Sequence, residues 1–283
     1  MKLKSLLLAL SFMTLAACTN DTPASDSSAD ISSSEGVVKD SSIEADVSAE
    51  IASSDHASEE SIDLEEPVAY EYMVNPDIFS IQPIADANSR VALLTFDDAP
   101  QDYSMAIAET VKEKGANAIF FVMGQFLEDP AAKDIIKDIY DMGFEIGNHS
   151  YSHPVMTDLT YEEQQEEIKK TNELVKEATG EYPRFFRAPH GIYDENTEAV
   201  LKETNIVNMN WTYGYDWEEQ YMNGPALADI MVNTEFLGSG ANLLMHDRQW
   251  TAEAIGDIID GLRAKDFEIL DPVLIESPES EEQ

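Results

Sequence analysis

From Arg90 onward, apolar runs of strand length alternate with segments of helical periodicity. Residues 91–96 form the first apolar run, and residues 103–114 follow with a helical pattern that ends before Gly115. The alternation continues for about seven units and predicts a parallel sheet covered by helices, because parallel neighbours need a long crossover connection. That many units favour a closed barrel, although an open sheet also satisfies the pattern.

The predicted elements fill the chain from residue 90 to residue 275. Strands are predicted at residues 91–96, 118–122, 144–147, 185–187, 206–209, 242–245 and 267–270. Helices are predicted at residues 103–114, 130–142, 160–179, 195–203, 225–236 and 251–264. We therefore expect one α/β domain over residues 90–275, which is long enough to bury a large core.

The N-terminal segment has the pattern of a bacterial export signal. Lys2 and Lys4 precede an apolar stretch that ends in Leu15-Ala-Ala-Cys18. That stretch is shorter than the roughly 20 residues of a spanning helix. Its end resembles a lipobox, and Cys18 is the only cysteine of the chain. We expect residues 1–17 to be a lipoprotein signal peptide and a lipid on Cys18 to anchor the exported chain to the outer face of the cell membrane. An ordinary signal peptide with an incidental cysteine is the alternative.

Residues 18–66 have a composition that disfavours folding. Ser, Asp, Ala and Glu dominate, and Lys39 is the only lysine or arginine. Such a segment buries too little apolar surface to offset the entropy of ordering it. We predict a disordered acidic tether there, a lead-in segment over residues 67–89 and an acidic tail over residues 276–283.

The chain is strongly acidic, with a formal net charge of −39. This charge argues against nucleic acid as a partner, because phosphate binding needs basic patches. Two explanations of the charge stay open: adaptation to a saline medium, and an ordinary acidic surface that keeps the protein in solution.

Chemically reactive side chains follow four of the predicted strands. These side chains are Asp97, Asp98, His149, His153, Arg187 and His246. Each has a structural alternative, namely a turn aspartate, a loop or core histidine, or a surface salt bridge. All four histidines outside the tether nevertheless fall within these motifs. Because barrel active sites are built at the C-terminal ends of strands, the joint pattern predicts a metal-assisted hydrolase.

The spacing of these residues indicates what each can do. Neighbouring side chains on a strand point in different directions, so Asp98 can bind a metal ion while Asp97 faces the substrate. His149 and His153 are four residues apart and complete a two-histidine, one-carboxylate set with open positions. His246 has the chemistry of a general acid.

Five short motifs together resemble those of a known family. In chain order they are Thr-Phe-Asp-Asp, His-Ser-x-x-His, Arg-x-Pro-x-Gly, Asp-Trp and Leu-x-His, within residues 90–270. They resemble the polysaccharide deacetylases of carbohydrate esterase family 4, which have NodB-homology domains. The resemblance implies a distorted (β/α) barrel of about seven parallel strands over residues 90–275. It also implies one divalent ion, most often Zn²⁺ with Co²⁺, Mn²⁺ or Ni²⁺ as alternatives, and hydrolysis of N-acetyl groups on polymeric amino sugars.

The same resemblance assigns roles to individual residues. Asp97 would be the base that deprotonates the attacking water. Asp98, His149 and His153 would hold the metal ion. His246 would protonate the departing amine.

Further positions of the motifs would support these groups. Arg187 would pair with Asp97, and Asp216 would orient His246 as a carboxylate orients a triad histidine. The backbone N–H of His190 would help to stabilise the oxyanion. Trp217 and Leu244 would form the walls of the acetyl pocket.

Three positions depart from the family pattern. Ala99 stands where glycine is common, and His190 stands where an aromatic residue such as tyrosine is usual. Tyr213 replaces the first aspartate of the fourth motif, which could alter the network that orients His246 or the substrate preference.

The sequence thus predicts a metal-dependent deacetylase that acts on a cell-wall glycan, most plausibly peptidoglycan N-acetylglucosamine, as a membrane-anchored monomer. Chitin, poly-N-acetylglucosamine and O-acetylated xylan are alternative substrates. A sugar-binding lipoprotein without turnover is the non-enzymatic alternative. A barrel glycosidase fits less well, because it needs two carboxylates about 5–9.5 Å apart.

Overall fold

The computed structural model describes residues 69–278. The predicted signal peptide, Cys18 and the predicted tether lie outside these residues. Within residues 69–278, no helix is both long enough and apolar enough to cross a membrane.

Ten strands within the described residues make two sheets. They are β1 (Tyr72–Val74), β2 (Ile81–Pro83), β3 (Val91–Ala99), β4 (Ile119–Val122), β5 (Glu145–Asn148), β6 (Phe185–Phe186), β7 (Val207–Asn208), β8 (Tyr213–Gly214), β9 (Ala241–His246) and β10 (Glu268–Ile269). β1 and β2 form an antiparallel hairpin. The other eight strands form one parallel sheet.

The large sheet is a curled, incompletely closed barrel. Seven strands follow the order β7-β6-β5-β4-β3-β9-β8, and β10 pairs with the beginning of β3. Among the described residues, no ladder joins β7 to β8. The prediction of a distorted barrel of about seven parallel strands is confirmed.

In the part of the chain that the structure describes, six α-helices cover this sheet. They are α1 (Ser104–Glu113), α2 (Pro130–Asp141), α3 (Tyr161–Thr179), α4 (Glu195–Glu203), α5 (Gly224–Asn233) and α6 (Gln249–Ala264). α3 begins with a capping box between Thr160 and Glu163, and it ends at Gly180, whose φ of 90° is left-handed.

The prediction for α5 was wrong at its C-terminal end. The sequence pattern extends to residue 236, but the helix ends at Asn233 because Thr234 takes an extended backbone with ψ of 149°. The Thr234 hydroxyl is instead bonded to the hydroxyl of Tyr215 at 2.6 Å. The same hydroxyl also accepts Phe236 N–H at 3.3 Å, and a local bond between side chain and backbone of this kind competes with continuation of a helix.

Side chains of β3 alternate between two cores. Leu94 and Phe96 pack in the cluster that includes the helices, whereas Val91 and Leu93 belong to the inner cluster. Alternation with a period of two places Asp97 on the same side as Val91 and Leu93. The C-terminal end of β3 therefore directs Asp97 into the barrel.

The lead-in hairpin contributes to the inner core. Tyr72 and Ile81 are buried in the inner cluster. Ile81 N–H also donates to the carbonyl of Gly240 at 2.8 Å. Gly240 has a φ of 72°, and a Cβ atom there would lie 2.0 Å from the Ile81 carbonyl oxygen. Only glycine permits this close approach.

Candidate active site

The C-terminal ends of the central strands surround one cavity of about 390 Å³. It is lined by Asp97, Asp98, His149, His153, His190, Trp211, Trp217, Leu244 and His246. Arg187 and Asp216 are buried directly behind these side chains. The structure therefore brings together the ten site residues that the sequence suggested within the described part of the chain, and it adds Trp211.

Asp98, His149 and His153 form a group that could hold a metal ion. One ligand atom from each lies within 4.8 Å of the others. Asp98 Oδ1 is 3.6 Å from His153 Nε2 and 3.9 Å from His149 Nε2. Both imidazoles therefore turn Nε2 toward the same carboxylate oxygen.

The protonation of the histidines suits metal binding. His149 Nδ1–H donates to the carbonyl of Arg187 at 2.7 Å, which leaves Nε2 as the free lone pair. Burial lowers the pKa of His149, against the opposing charges of Asp97 and Asp98. Burial and the neighbouring His149 also lower the pKa of His153. Two neutral imidazoles and a carboxylate match the donor set of catalytic zinc sites, so the residues fit the implied ion.

Several residues of the rim have a left-handed backbone. Asp98, Ser150, His153 and His190 have φ values of 65°, 65°, 61° and 60°. Such a conformation in a residue other than glycine costs on the order of 1–3 kcal/mol and persists only where surrounding contacts enforce it. The loops that carry the candidate metal ligands are therefore held by neighbouring contacts.

Asp97 is fixed by a buried arginine. Arg187 Nη1 donates to Asp97 Oδ1 at 2.7 Å and to Thr95 Oγ1 at 2.7 Å. The rest of the guanidinium donates to the carbonyls of Met209 at 2.9 Å and Asn210 at 3.1 Å. Arg187 is fully buried, so these acceptors and the Asp97 charge compensate its desolvation.

His246 is oriented by Asp216. Its Nδ1 lies 2.8 Å from Asp216 Oδ1, and its backbone N–H donates to Oδ2 at 2.5 Å. Thr251 Oγ1 also donates to Oδ2 at 3.0 Å. Burial disfavours the charged imidazole, but the hydrogen bond and charge of Asp216, with smaller effects of Asp97 and Asp98, raise the pKa of His246.

Aromatic and apolar side chains complete the cavity. The exposed His190 ring meets the ring of His153 edge-on, with centroids 4.8 Å apart. Trp217 is 45% exposed and meets His246 edge-on at 5.6 Å, whereas Leu244 is buried. The cavity is thus apolar on one side and lined by ionisable groups on the other.

Tyr213 lies outside the cavity lining. It is buried in the helix-facing core, and its hydroxyl donates to the carbonyl of Met231 at 2.8 Å. Asp216 retains its bonds to His246 with Tyr213 in this place. The tyrosine therefore takes part in core packing and leaves the orientation of His246 to other residues.

Three residues of the site region escaped the sequence analysis. Trp211 lines the cavity just after β7. Arg248 Nη2 donates to Asp98 Oδ2 at 3.1 Å, on the oxygen that does not face the histidines.

Asp247 accepts the N–H groups of Gln101 and Tyr103 at 2.7 Å each, and so connects the end of β9 to the loop after β3. An aromatic residue directly after a strand was the only available signal for Trp211.

Comparisons with known proteins agree with this geometry. The profile of the family described as polysaccharide deacetylase matches residues 85–209. The chain is 30% identical to the peptidoglycan-N-acetylmuramic acid deacetylase PdaA of Bacillus subtilis over 203 residues, which are 68% of this chain and 74% of that protein. The chain belongs to the polysaccharide deacetylase family.

Two further relatives are more partial matches. A peptidoglycan-N-acetylglucosamine deacetylase of Bacillus cereus is 30% identical over 185 residues, which cover 63% of this chain and 65% of that protein. The crystal structure of a carbohydrate esterase family 4 pseudoenzyme from Bacillus anthracis aligns with a TM-score of 0.60 and 27% identity, and the match covers 66% of each chain. The fold is therefore shared by proteins with and without turnover.

Proposed function

We propose that this protein is a metal-dependent hydrolase that removes N-acetyl groups from the amino sugars of a cell-wall polysaccharide. The observation that carries the proposal is one cavity that holds a carboxylate paired with arginine, a histidine paired with aspartate, and a two-histidine, one-carboxylate set. This inventory provides a base, an acid and a metal site for acyl transfer to water.

Asp98, His149 and His153 would hold the divalent ion, most plausibly Zn²⁺. Such an ion supplies Lewis acidity to a carbonyl and lowers the pKa of water. Arg187 donates a hydrogen bond to Asp97 Oδ1. The other oxygen, Oδ2, faces the cavity and lies 3.6 Å from His149 Nε2. Asp97 is therefore placed to accept the proton of the attacking water.

His246 completes the reaction on the leaving group. The Asp216 carboxylate raises the pKa of His246, which favours the imidazolium form, and it fixes the Nδ1 side, so the Nε2 proton is the one available. Water adds to the acetyl carbon, the carbon–nitrogen bond breaks, and His246 protonates the amine nitrogen. The products are acetate and a free amino sugar. The backbone N–H of His190 would stabilise the oxyanion, while Trp217 and Leu244 enclose the methyl group.

We infer that the substrate is peptidoglycan, with N-acetylglucosamine as its acetylated sugar. The names of both cell-wall relatives support peptidoglycan, but only that of the Bacillus cereus relative supports N-acetylglucosamine, since the other is named for N-acetylmuramic acid. The proposed export and lipid anchoring through Cys18 would place the enzyme beside the wall. Chitin, poly-N-acetylglucosamine and acetylated xylan are the competing substrates.

A second candidate function is sugar binding without turnover, which the structural similarity to a pseudoenzyme supports. The chain retains Asp97 and His246, which a binding protein does not need. We therefore favour catalysis.

Acetate release from N-acetylated peptidoglycan and from chitooligosaccharides tests the proposal. The purified protein is assayed after chelation and again after addition of zinc. Release that zinc restores supports the deacetylase. New reducing ends would instead indicate a glycosidase, and zinc binding without any product would support the sugar-binding alternative.

A further inference from the structure

The three residues between His149 and His153 form a loop whose backbone donors are all satisfied. Ser150 N–H donates to Asn148 Oδ1 at 2.7 Å, and His153 N–H donates to Ser150 Oγ at 3.0 Å. The N–H groups of the two intervening residues need acceptors from elsewhere in the fold.

Glu167 on α3 supplies those acceptors. Its Oε2 accepts Tyr151 N–H at 2.9 Å and Ser152 N–H at 2.7 Å. Its Oε1 accepts the Ser152 hydroxyl at 2.7 Å. One carboxylate therefore makes three hydrogen bonds to the segment that separates the two histidines, without entering the cavity lining.

The opposite side of the loop is held as well. The carbonyls of Ser150 and Tyr151 accept Gly124 N–H at 3.0 Å and Gln125 N–H at 2.9 Å. The loop nevertheless contains two left-handed residues other than glycine, Ser150 and His153. A conformation with this intrinsic cost relaxes when its enforcing contacts are removed.

We propose that Glu167 is a positioning residue for metal binding: its hydrogen bonds hold the loop in the conformation that directs His149 and His153 toward Asp98. The inference rests on the proposed function, because it concerns the same metal site. Loss of the acceptors lets the loop relax, and the two imidazoles then lose their common orientation. The hydrogen bonds that Glu167 accepts, and not its charge, orient the loop.

The test is the dissociation constant of Zn²⁺, measured by competition with a chelating dye at a temperature where circular dichroism shows every variant folded. Glu167→Ala and Glu167→Met both remove the acceptors, and methionine keeps the side-chain bulk. We expect each to raise the dissociation constant roughly 10–100-fold, as expected for partners that orient metal ligands.

Glu167→Gln distinguishes hydrogen bonding from charge. Its amide oxygen can accept both N–H groups, and its NH₂ group can donate to the Ser152 hydroxyl oxygen. We expect it to bind zinc within about threefold of wild type. Glu166→Gln is the matched control, because Glu166 is exposed on the same helix and its side chain makes no hydrogen bond or ion pair within residues 69–278.

Each outcome decides the inference. Wild-type affinity in Glu167→Ala and Glu167→Met would overturn it, and so would an equal loss in Glu167→Gln, which would indicate charge. Zinc binding does not depend on turnover, so these results are distinguishable from failure of the deacetylase assay. A wild-type protein that binds no zinc would overturn both proposals.

Discussion

Replacing Arg187 with methionine should leave the buried Asp97 carboxylate without a counter-charge. Both side chains are at most 3% exposed. The guanidinium donates to five acceptors, which belong to Thr95, Asp97, Met209, Asn210 and Asn242. Removing one partner of a buried ion pair costs about 3–5 kcal/mol, because the remaining charge loses its compensation. We expect the free energy of unfolding of Arg187→Met to fall by about that amount.

The assay is urea unfolding at pH 7 of wild type, Arg187→Met, Asp97→Asn and the double variant. Asp97→Asn in the Arg187→Met background removes the stranded charge, so the double variant should recover part of the loss. The coupling energy should be about 1–3 kcal/mol. Arg263→Met is the control, because Arg263 is exposed and, among residues 69–278, its guanidinium bonds only the backbone carbonyls of Lys114 and Gly115. Single effects that add to within about 0.5 kcal/mol would refute the reasoning.

Four further predictions concern the chemistry and the packing. Asp97→Asn should nearly abolish acetate release but retain zinc, whereas His149→Ala should lose both; an active Asp97→Asn enzyme would contradict the assigned base. Asp216→Asn should remove the interaction that raises the pKa of His246, so the alkaline limb of the kcat/KM profile should move to lower pH; an unmoved limb would mean that another acid protonates the amine. In wild type, the interaction of protonated His246 with Asp216 stabilises the fold fully below the ordinary pKa of histidine, and this stabilisation is lost as pH rises through the raised pKa of His246. The free energy of unfolding of the metal-free wild type should therefore exceed that of His246→Gln by more at pH 5.5 than at pH 8.5; an equal difference at both pH values would contradict this. Gly240→Ala should lower the free energy of unfolding by at least about 1–2 kcal/mol, since alanine disfavours the left-handed φ and its Cβ meets a carbonyl; unchanged thermal unfolding would contradict this.

Local pattern predicted the elements whose signals are contained within them. The residues of β3 that precede Asp97 are nearly all apolar. Helix α3 has a capping box at its start and a glycine after its end. Each element was therefore predictable, with small errors at the ends. The two-residue strand β8 was not predicted, because it is short and its partner β9 begins almost 30 residues later. The β1–β2 hairpin was not predicted either, because each of its strands has only three residues, which is too short for an alternating pattern to be recognised.

The same distinction applies to the site. Motif residues such as Asp98 and His149 were identifiable from their chemistry and their positions after strands, and their assigned roles stay predictions. Arg248 and Glu167 have no local signal of function, and Trp211 has only that of an aromatic residue shortly after a strand. Each acquires its place through a contact that only the folded chain creates, such as the bond from Arg248 to Asp98 across 150 residues.

Because β3 has three neighbouring strands, it should be among the last parts of the domain to unfold. This strand is paired with β4, β9 and β10, so its amides should be among the slowest of the domain to exchange with deuterated solvent. Asp97, at its C-terminal end, would then be released only when the whole domain unfolds. Trp217, which is 45% exposed, lies on a connecting segment that can fluctuate to admit a polymer while the base keeps its position.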